Sequence, residues 1–271
     1  MKTRILTAAL LLPAFLIIVL LLPSVFTAIL FGLMTAVAAF EMLWGTGYLK
    51  HPRLIAYAAV MALLVSIWSG FGANYVWALL AVLVFVIIMF TEIMISGLKL
   101  SFEKVIICAV SGLLIPYLLT ALVRIRAGEN GEAFILIPVI AGFISDSGAY
   151  FAGCFLGKHK LAPTISPKKT IEGAVGGILA AIIGLLVYGL ILQLGFGFRV
   201  NYLYAIIYGI LGSMVGVFGD LCFSAIKRQT GIKDYGNLMP GHGGVLDRFD
   251  SMVLIAPLME ILLILIPMAV K

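Results

Sequence analysis

The apolar positions of this chain are grouped in long blocks that are separated by shorter polar stretches. A helix that crosses a bilayer needs about 20 mostly apolar residues. The pattern predicts nine such helices, at residues 5–22, 24–43, 54–72, 75–95, 104–123, 133–155, 173–195, 202–224 and 250–270. It therefore predicts an all-α fold, a polytopic membrane protein with about nine transmembrane helices.

Composition supports this prediction. Of 271 residues, 63% are hydrophobic and 11% are charged, whereas soluble domains carry about 25% charged residues. No segment is long and polar enough to form a separate water-soluble domain, so residues 1–271 are predicted to form one integral membrane domain. Its three cysteines have no CxxC spacing, which indicates neither a disulfide framework nor a zinc site.

The basic residues predict the orientation in the membrane. Fourteen Lys and Arg fall in the loops of one side and four in those of the other. The positive-inside rule places the richer side in the cytoplasm, together with the N-terminus. The net charge of +6 is then a topology signal and does not indicate nucleic-acid binding. We expect a protein of the cytoplasmic (inner) membrane with its active site facing the cytoplasm.

Two of the predicted cytoplasmic loops are long and rich in polar residues, Gly157–Gly173 and Lys227–Asp250. Because they face the same compartment, both could line one site. In the first loop Lys168, Lys169 and Thr170 precede the seventh predicted span, where the N-terminus of a helix favours anions. For either lysine alone, a topology charge is the default interpretation.

Acidic residues inside predicted spans are costly unless they are paired or face a wet cavity. Five are present: Glu41, Glu92, Asp146, Asp220 and Glu260. Glu41 and Glu92 lie near cytoplasmic helix ends, where a structural role is the favoured interpretation, and Glu260 is not assigned a role.

Asp220 has a more informative context than the other acids. Asp220, Ser224 and Lys227 are spaced i, i+4 and i+7 and so share one helix face that leads to the cytoplasm. Gly212 and Gly216 form a GxxxG pattern that is typical of close helix packing. Asp146 is likewise surrounded by small residues.

The last span is preceded by an unusual polar segment. Asp247 and Asp250 are three residues apart and are predicted to point the same way from the first turn of the last helix. Before them, the glycines of "PGHGG" (residues 240–244) would give free backbone N–H groups that a phosphate can approach. Carboxylates with Lys and Arg are the composition of a magnesium–phosphate site. A structural salt-bridge cluster is the alternative.

These motifs resemble the phosphatidate cytidylyltransferases, or CDP-diacylglycerol synthases. The resemblance is carried by the segment Ser224–Asp250, in which the polar positions of the family signature are filled. The upstream segments "SDSGAYFAG" and "SPKKTIEG" resemble further family segments in the expected order. Residues 142–271 thus carry the motifs, and residues 1–141 carry no comparable one.

The resemblance implies that CTP and phosphatidic acid, a membrane lipid, react to give CDP-diacylglycerol and pyrophosphate with Mg²⁺ as cofactor. It also leaves room for a second, monovalent cation. Asp220 and Asp247 would bind Mg²⁺, with Asp146 and Asp250 either as further ligands or as groups that contact the ligands. Catalysis would fall to Asp220, Asp247, Lys227 and Arg248. Substrate binding would involve Lys168, Lys169, Thr170, Ser224, Lys233, His242, Gly243 and Gly244.

Other functions are distinguished by their patterns. The sequence pattern of the CDP-alcohol phosphotransferases is absent, and a polyprenol or dolichol kinase that uses CTP would share part of the chemistry. An anion transporter would also carry acids and glycines in its spans, although the motifs here have no counterpart in residues 1–141. The glycine-rich helix faces are compatible with a homodimer.

Overall fold

Long apolar helices make up most of the computed structural model, which describes residues 13–72, 75–239, 241 and 243–271. In this part of the chain seven helices are long and apolar enough to cross a membrane. They are α1 (Ser24–Gly45), α2 (Pro52–Phe71), α3 (Tyr75–Ile95), α4 (Phe102–Ala127), α5 (Gly131–Leu156), α6 (Ile171–Phe196) and α7 (Tyr202–Gln229). Two shorter helices follow, α8 (Leu246–Phe249) and α9 (Met252–Leu265).

The seven long helices coincide with seven of the predicted spans, which confirms the all-α, polytopic class. The last predicted span corresponds to α9, which begins at Met252 and ends at Leu265. Of the first predicted span, residues 5–22, the structure describes residues 13–22, which include the π-helical turn Ile17–Leu21. The total of nine spans, the cytoplasmic N-terminus and the single-domain organisation stay predictions.

Local sequence explains several helix ends. Pro52 begins α2, at a position where its missing N–H costs nothing. Gly72 ends α2 and Gly197 ends α6 with φ values of 58° and 71°. That left-handed conformation is accessible to glycine without steric cost.

The helices belong to two compact units. The first contains the described chain up to Glu129 together with Gln229–Phe249, and the second contains Asn130–Arg228 and Asp250–Lys271.

In the first unit α1 packs mainly against α2. Arg126, near the end of α4, is buried. Its Nε donates to the carbonyl of Val19 at 2.7 Å and its Nη2 to the carbonyl of Leu22 at 3.0 Å. These carbonyls precede Pro23, which cannot continue the hydrogen-bonding pattern of the preceding turn. The charged side chain therefore satisfies backbone groups at the helix break before Pro23.

Small residues let α5 and α6 approach closely in the second unit. A Cβ atom at Gly148 would collide with the side chain of Ala180, and one at Gly176 with that of Ala152. Gly216 is likewise packed, with Ile255 of α9 in the place of a side chain. The predicted packing role is thereby confirmed for Gly216 and for Gly148, one of the small residues around Asp146.

Two short antiparallel strand pairs, which the sequence did not predict, mark the ends of α6. Strands β1 (Lys160–Ala162) and β2 (Ser166–Thr170) form a hairpin before α6. Strands β3 (Arg199–Val200) and β4 (Ala269–Val270) pair beyond its other end. Because α7 starts next to β3, its C-terminal end returns towards the hairpin.

Candidate active site

The C-terminal part of α7 presents a line of polar side chains. The hydroxyl of Ser224 donates to Oδ1 of Asp220 at 3.0 Å. One turn further on, Lys227 is only 8% exposed, and its Nζ lies 3.8 Å from Oδ2 of Asp250. The predicted helix face is therefore confirmed, and Asp250 joins it as the partner of Lys227.

The β1–β2 hairpin brings Lys169 to this face. Its Nζ lies 2.6 Å from Oδ2 of Asp220. The hairpin is tied to α7 a second time, because Nε of Arg228 donates to the carbonyl of Ile165 at 3.1 Å. At the base of the hairpin, Glu172 accepts hydrogen bonds from the backbone N–H groups of Lys158 and His159. The β1–β2 hairpin, which carries Lys168 and Lys169, thus contacts the polar face of α7.

The neighbours of Lys169 have different environments. Thr170 is buried and caps α6, since its hydroxyl accepts a hydrogen bond from the N–H of Gly173 at 3.1 Å. Capping accounts for this threonine without a substrate. Lys168 is exposed on the hairpin.

Negative charge accumulates around Asp250. Burial raises the pKa of Asp250 to about 7, and the charges of Asp220 and Asp146 act in the same direction, against the positive charge of Lys227. Asp146 lies within α5 and is exposed. An acid in the middle of a spanning helix is most stable when it faces a polar or wet environment.

Asp247 lies in the first unit and braces the loop before α8. Its Oδ2 accepts hydrogen bonds from the backbone N–H groups of Tyr235 at 2.8 Å and Gly244 at 3.0 Å. Gly243 has a φ of 85°, and a Cβ atom there would lie 3.0 Å from the same oxygen. Glycine at this position therefore allows the loop to close on Asp247.

Glu41 has partners that its sequence context does not indicate. Its Oε1 accepts a hydrogen bond from the N–H of Val245 at 3.0 Å, and its Oε2 accepts one from the N–H of Leu246 at 2.8 Å. No local pattern could have revealed this contact, because the partners are 204 and 205 positions away in the sequence.

These bonds correct two expectations. The backbone N–H of Gly244 binds the carboxylate of Asp247, so this glycine is not the free donor expected for phosphate. The N–H groups of Val245 and Leu246, which follow the glycine segment, bind Glu41. Asp247 and Asp250 also do not share one helical turn. Asp247 belongs to α8, which ends at Phe249, whereas Asp250 precedes α9 and bonds the N–H of Ser251.

The remaining predicted site residues are on the surface or outside the described residues. Lys233 and Arg248 are exposed. Pro240 and His242 lie outside the described residues. Within the described part of the chain, no group of three or more His, Cys, Asp or Glu side chains is arranged to hold a metal ion.

Together these features define the class of protein. It is a polytopic membrane protein in which carboxylates and ammonium groups converge at the end of a spanning helix, the composition that suits a polyanionic substrate. The chain belongs to the cytidylyltransferase family, whose sequence profile matches residues 2–266.

Three relatives illustrate the similarity. The chain is 34% identical to the phosphatidate cytidylyltransferase of Bacillus subtilis over 98% of both chains. It is 34% identical to that of Staphylococcus epidermidis and 32% identical to that of Staphylococcus aureus. In both of these comparisons 97% of this chain and 99% of the relative are covered.

Proposed function

We propose that this protein is a nucleotidyltransferase that uses CTP and phosphatidic acid to make CDP-diacylglycerol and pyrophosphate, a step of phospholipid biosynthesis. The observation that carries the proposal is the match over nearly the full chain to proteins named phosphatidate cytidylyltransferase. The convergence of Lys169, Asp220 and Lys227 with Asp250 supports it, because both substrates are phosphates.

The reaction joins two phosphates. An oxygen of the lipid phosphate attacks the α-phosphorus of CTP, the bond between the α-phosphorus and its bridging oxygen breaks, and pyrophosphate leaves with that electron pair. The lipid phosphate needs no strong general base, because a phosphate monoester has its second pKa at about 6. Catalysis then consists of positioning the two phosphates and neutralising their charge.

The basic residues would supply that neutralisation. Lys169 and Lys227 already lie beside carboxylates, so each ammonium is held in place before a phosphate arrives. Lys168, Lys233 and Arg248 are exposed and would contact the nucleotide from the aqueous side. Arg248 is suited to grip a phosphate through two parallel N–H groups. Ser224 would orient the carboxylate of Asp220, to which it donates.

Mg²⁺ is the proposed cofactor, and the carboxylates of the second unit fit it chemically. Asp220 and Asp250 offer hard oxygen ligands, and the repulsion that Asp220 and Asp146 exert on Asp250 would be relieved by a cation. Bound Mg²⁺ would supply further charge stabilisation for the phosphates. The assignment of Asp247 to the metal stays a prediction. Its Oδ2 already accepts two backbone hydrogen bonds, which compete with a metal for this oxygen.

We further propose an inner-membrane protein with nine spans, a cytoplasmic N-terminus and a cytoplasmic active site. The Lys and Arg distribution supports this orientation. The hairpin contacts the C-terminal end of α7 near the start of α6. Strand β3 lies beyond the other end of α6. This arrangement agrees with the predicted separation of Arg199 and Lys271 from the lysines of the hairpin. The homodimer stays a prediction.

The test is an assay of the purified protein in detergent or liposomes with CTP, phosphatidic acid and a series of Mg²⁺ concentrations. We expect pyrophosphate and CDP-diacylglycerol in equal amounts, and loss of product when the metal is chelated. Flux of an anion without CTP turnover would instead favour a transporter.

Two variants sharpen the assay. Asp220→Asn keeps the size of the side chain and removes its charge, so turnover should fall on the order of a hundredfold or more. Glu92→Gln is the matched control: it changes an acid that is also within a spanning helix, where it accepts a hydrogen bond from Tyr57 at 3.3 Å. A folded Asp220→Asn variant with the activity of the control would refute the role of Asp220.

A further inference from the structure

Glu41 is a buried acid that belongs to the first unit and lies outside every motif of the sequence. It begins a π-helical turn, Glu41–Gly45, at the end of α1 and is 3% exposed. Single π-helical turns within α-helices are frequent at functional sites, since they redirect side chains.

Both carboxylate oxygens of Glu41 are committed to one short stretch of backbone, the N–H groups of Val245 and Leu246. A carboxylate that accepts backbone hydrogen bonds makes charge-assisted contacts, which are stronger than neutral ones. Asp247 directly follows Leu246, and its carboxylate accepts hydrogen bonds from the N–H groups of Tyr235 and Gly244. Two acids therefore hold the same turn from different directions.

Glycines form the surface that receives Glu41. A Cβ atom at Gly236 or at Gly244 would collide with its carboxylate. At the other end of the π-helical turn, a Cβ atom at Gly45 would collide with the carbonyl oxygen of Tyr235. The loop and the π-helical turn are thus packed against each other at several points, backbone to backbone or backbone to carboxylate.

The loop has little regular structure of its own. Between the end of α7 and the start of α8, the described residues contain one isolated β-bridge, from Met239 to Gly243. The exposed side chains of Lys233 and Arg248 lie on this segment and beside it. Their positions therefore depend on the contacts that fix the backbone.

We infer that Glu41 is a positioning residue: it fixes the turn Gly244–Leu246 and so sets the placement of Asp247 and Arg248 during the reaction. This inference rests on the proposed function for its catalytic consequence. The bracing of the loop rests only on the contacts of Glu41.

The test compares Glu41→Gln with Glu92→Gln. In the structure each N–H group donates to a different oxygen of Glu41. Glutamine in the same place would keep one of these acceptors and turn its NH₂ group towards the other N–H. Hydrogen exchange of the segment 244–250 should accelerate about tenfold or more in Glu41→Gln, because an N–H group loses its partner. In the same variant kcat should fall about tenfold to a hundredfold, whereas KM for CTP changes less. Glu92→Gln should keep wild-type exchange and kcat.

A second variant avoids reliance on one substitution. Gly236→Ala keeps the carboxylate of Glu41 but places a methyl group against it, and it should reproduce both effects. Asn237→Ala, a change at the adjacent exposed residue, is its control. This pair decides the question if Glu41→Gln does not fold.

The outcomes separate the two proposals. Accelerated exchange with an unchanged kcat would show that Glu41 braces the loop without positioning catalytic groups, and would overturn the inference. Unchanged exchange in both Glu41→Gln and Gly236→Ala would overturn it as well. If the wild-type protein had no CTP-dependent turnover, the proposed function would fail, while the exchange measurement would still report on the bracing.

Discussion

The ammonium group of Lys169 lies 2.6 Å from Oδ2 of Asp220, and this ion pair joins two segments that are distant in the sequence. The side chains are 24% and 31% exposed, so solvent screens the attraction and its net contribution to stability is about 1 kcal/mol or less. Because this ion pair contributes little to the stability of the fold, we attribute the placement of Lys169 and Asp220 to the candidate active site.

Replacing Lys169 by methionine should therefore separate activity from stability. We expect Lys169→Met to lower turnover at least about tenfold, because one positive charge is lost beside the phosphates. The melting temperature should change by only a few degrees. The measurement is CTP turnover together with a thermal melt.

Lys160→Met is the control for this variant, since Lys160 is exposed on the same hairpin and is not assigned to the site. Equal loss of activity in both variants would mean that the hairpin needs positive charge in general. Loss of thermal stability in Lys169→Met alone would mean that the ion pair serves the fold.

Arg248 is expected to act through its shape as well as its charge. A guanidinium can bind a phosphate through two parallel N–H groups and an ammonium cannot. We expect Arg248→Lys to insert and fold normally while its turnover falls at least about tenfold. Because Arg248 is exposed, wild-type kinetics in this variant would reduce it to an interfacial anchor.

The orientation of the chain can be measured by cysteine labelling in intact cells or sealed vesicles. Cysteine at Asn237 should react from the cytoplasmic side and cysteine at Asn130 from the opposite side, as the distribution of Lys and Arg predicts. Cys154 and Cys222 are not buried and should first be replaced by serine. Labelling of both positions from one side would contradict the nine-span topology.

Arg126 should matter for stability and not for chemistry. Arg126→Met removes the donors to the carbonyls of Val19 and Leu22, and buried carbonyls without partners should lower the free energy of unfolding by about 2–4 kcal/mol. The check is a melt in detergent, alongside turnover at low temperature, which should be retained. Arg199→Met, a change of an exposed arginine, is the control and should leave the melt nearly unchanged.

Properties that follow from local composition could be predicted from the sequence alone. The apolar blocks predict the spans, because a helix must keep an apolar surface along its whole length in lipid and its hydrogen bonds are internal. The line Asp220, Ser224 and Lys227 could be predicted for a similar reason, since helical periodicity fixes which residues share a face. The polar signature Ser224–Asp250 was specific enough to indicate the family.

Tertiary structure decided which groups these residues meet. Glu41 and Glu92 look alike in the sequence, as single acids near helix ends, yet Glu41 accepts hydrogen bonds from the loop before α8 and Glu92 accepts one from Tyr57. The sequence predicts that the backbone N–H of Gly244 is available to phosphate, whereas in the structure it donates to the carboxylate of Asp247. Such contacts depend on how distant segments pack, and neither hydropathy nor helical periodicity specifies which side chain will fill the space beside a buried N–H group.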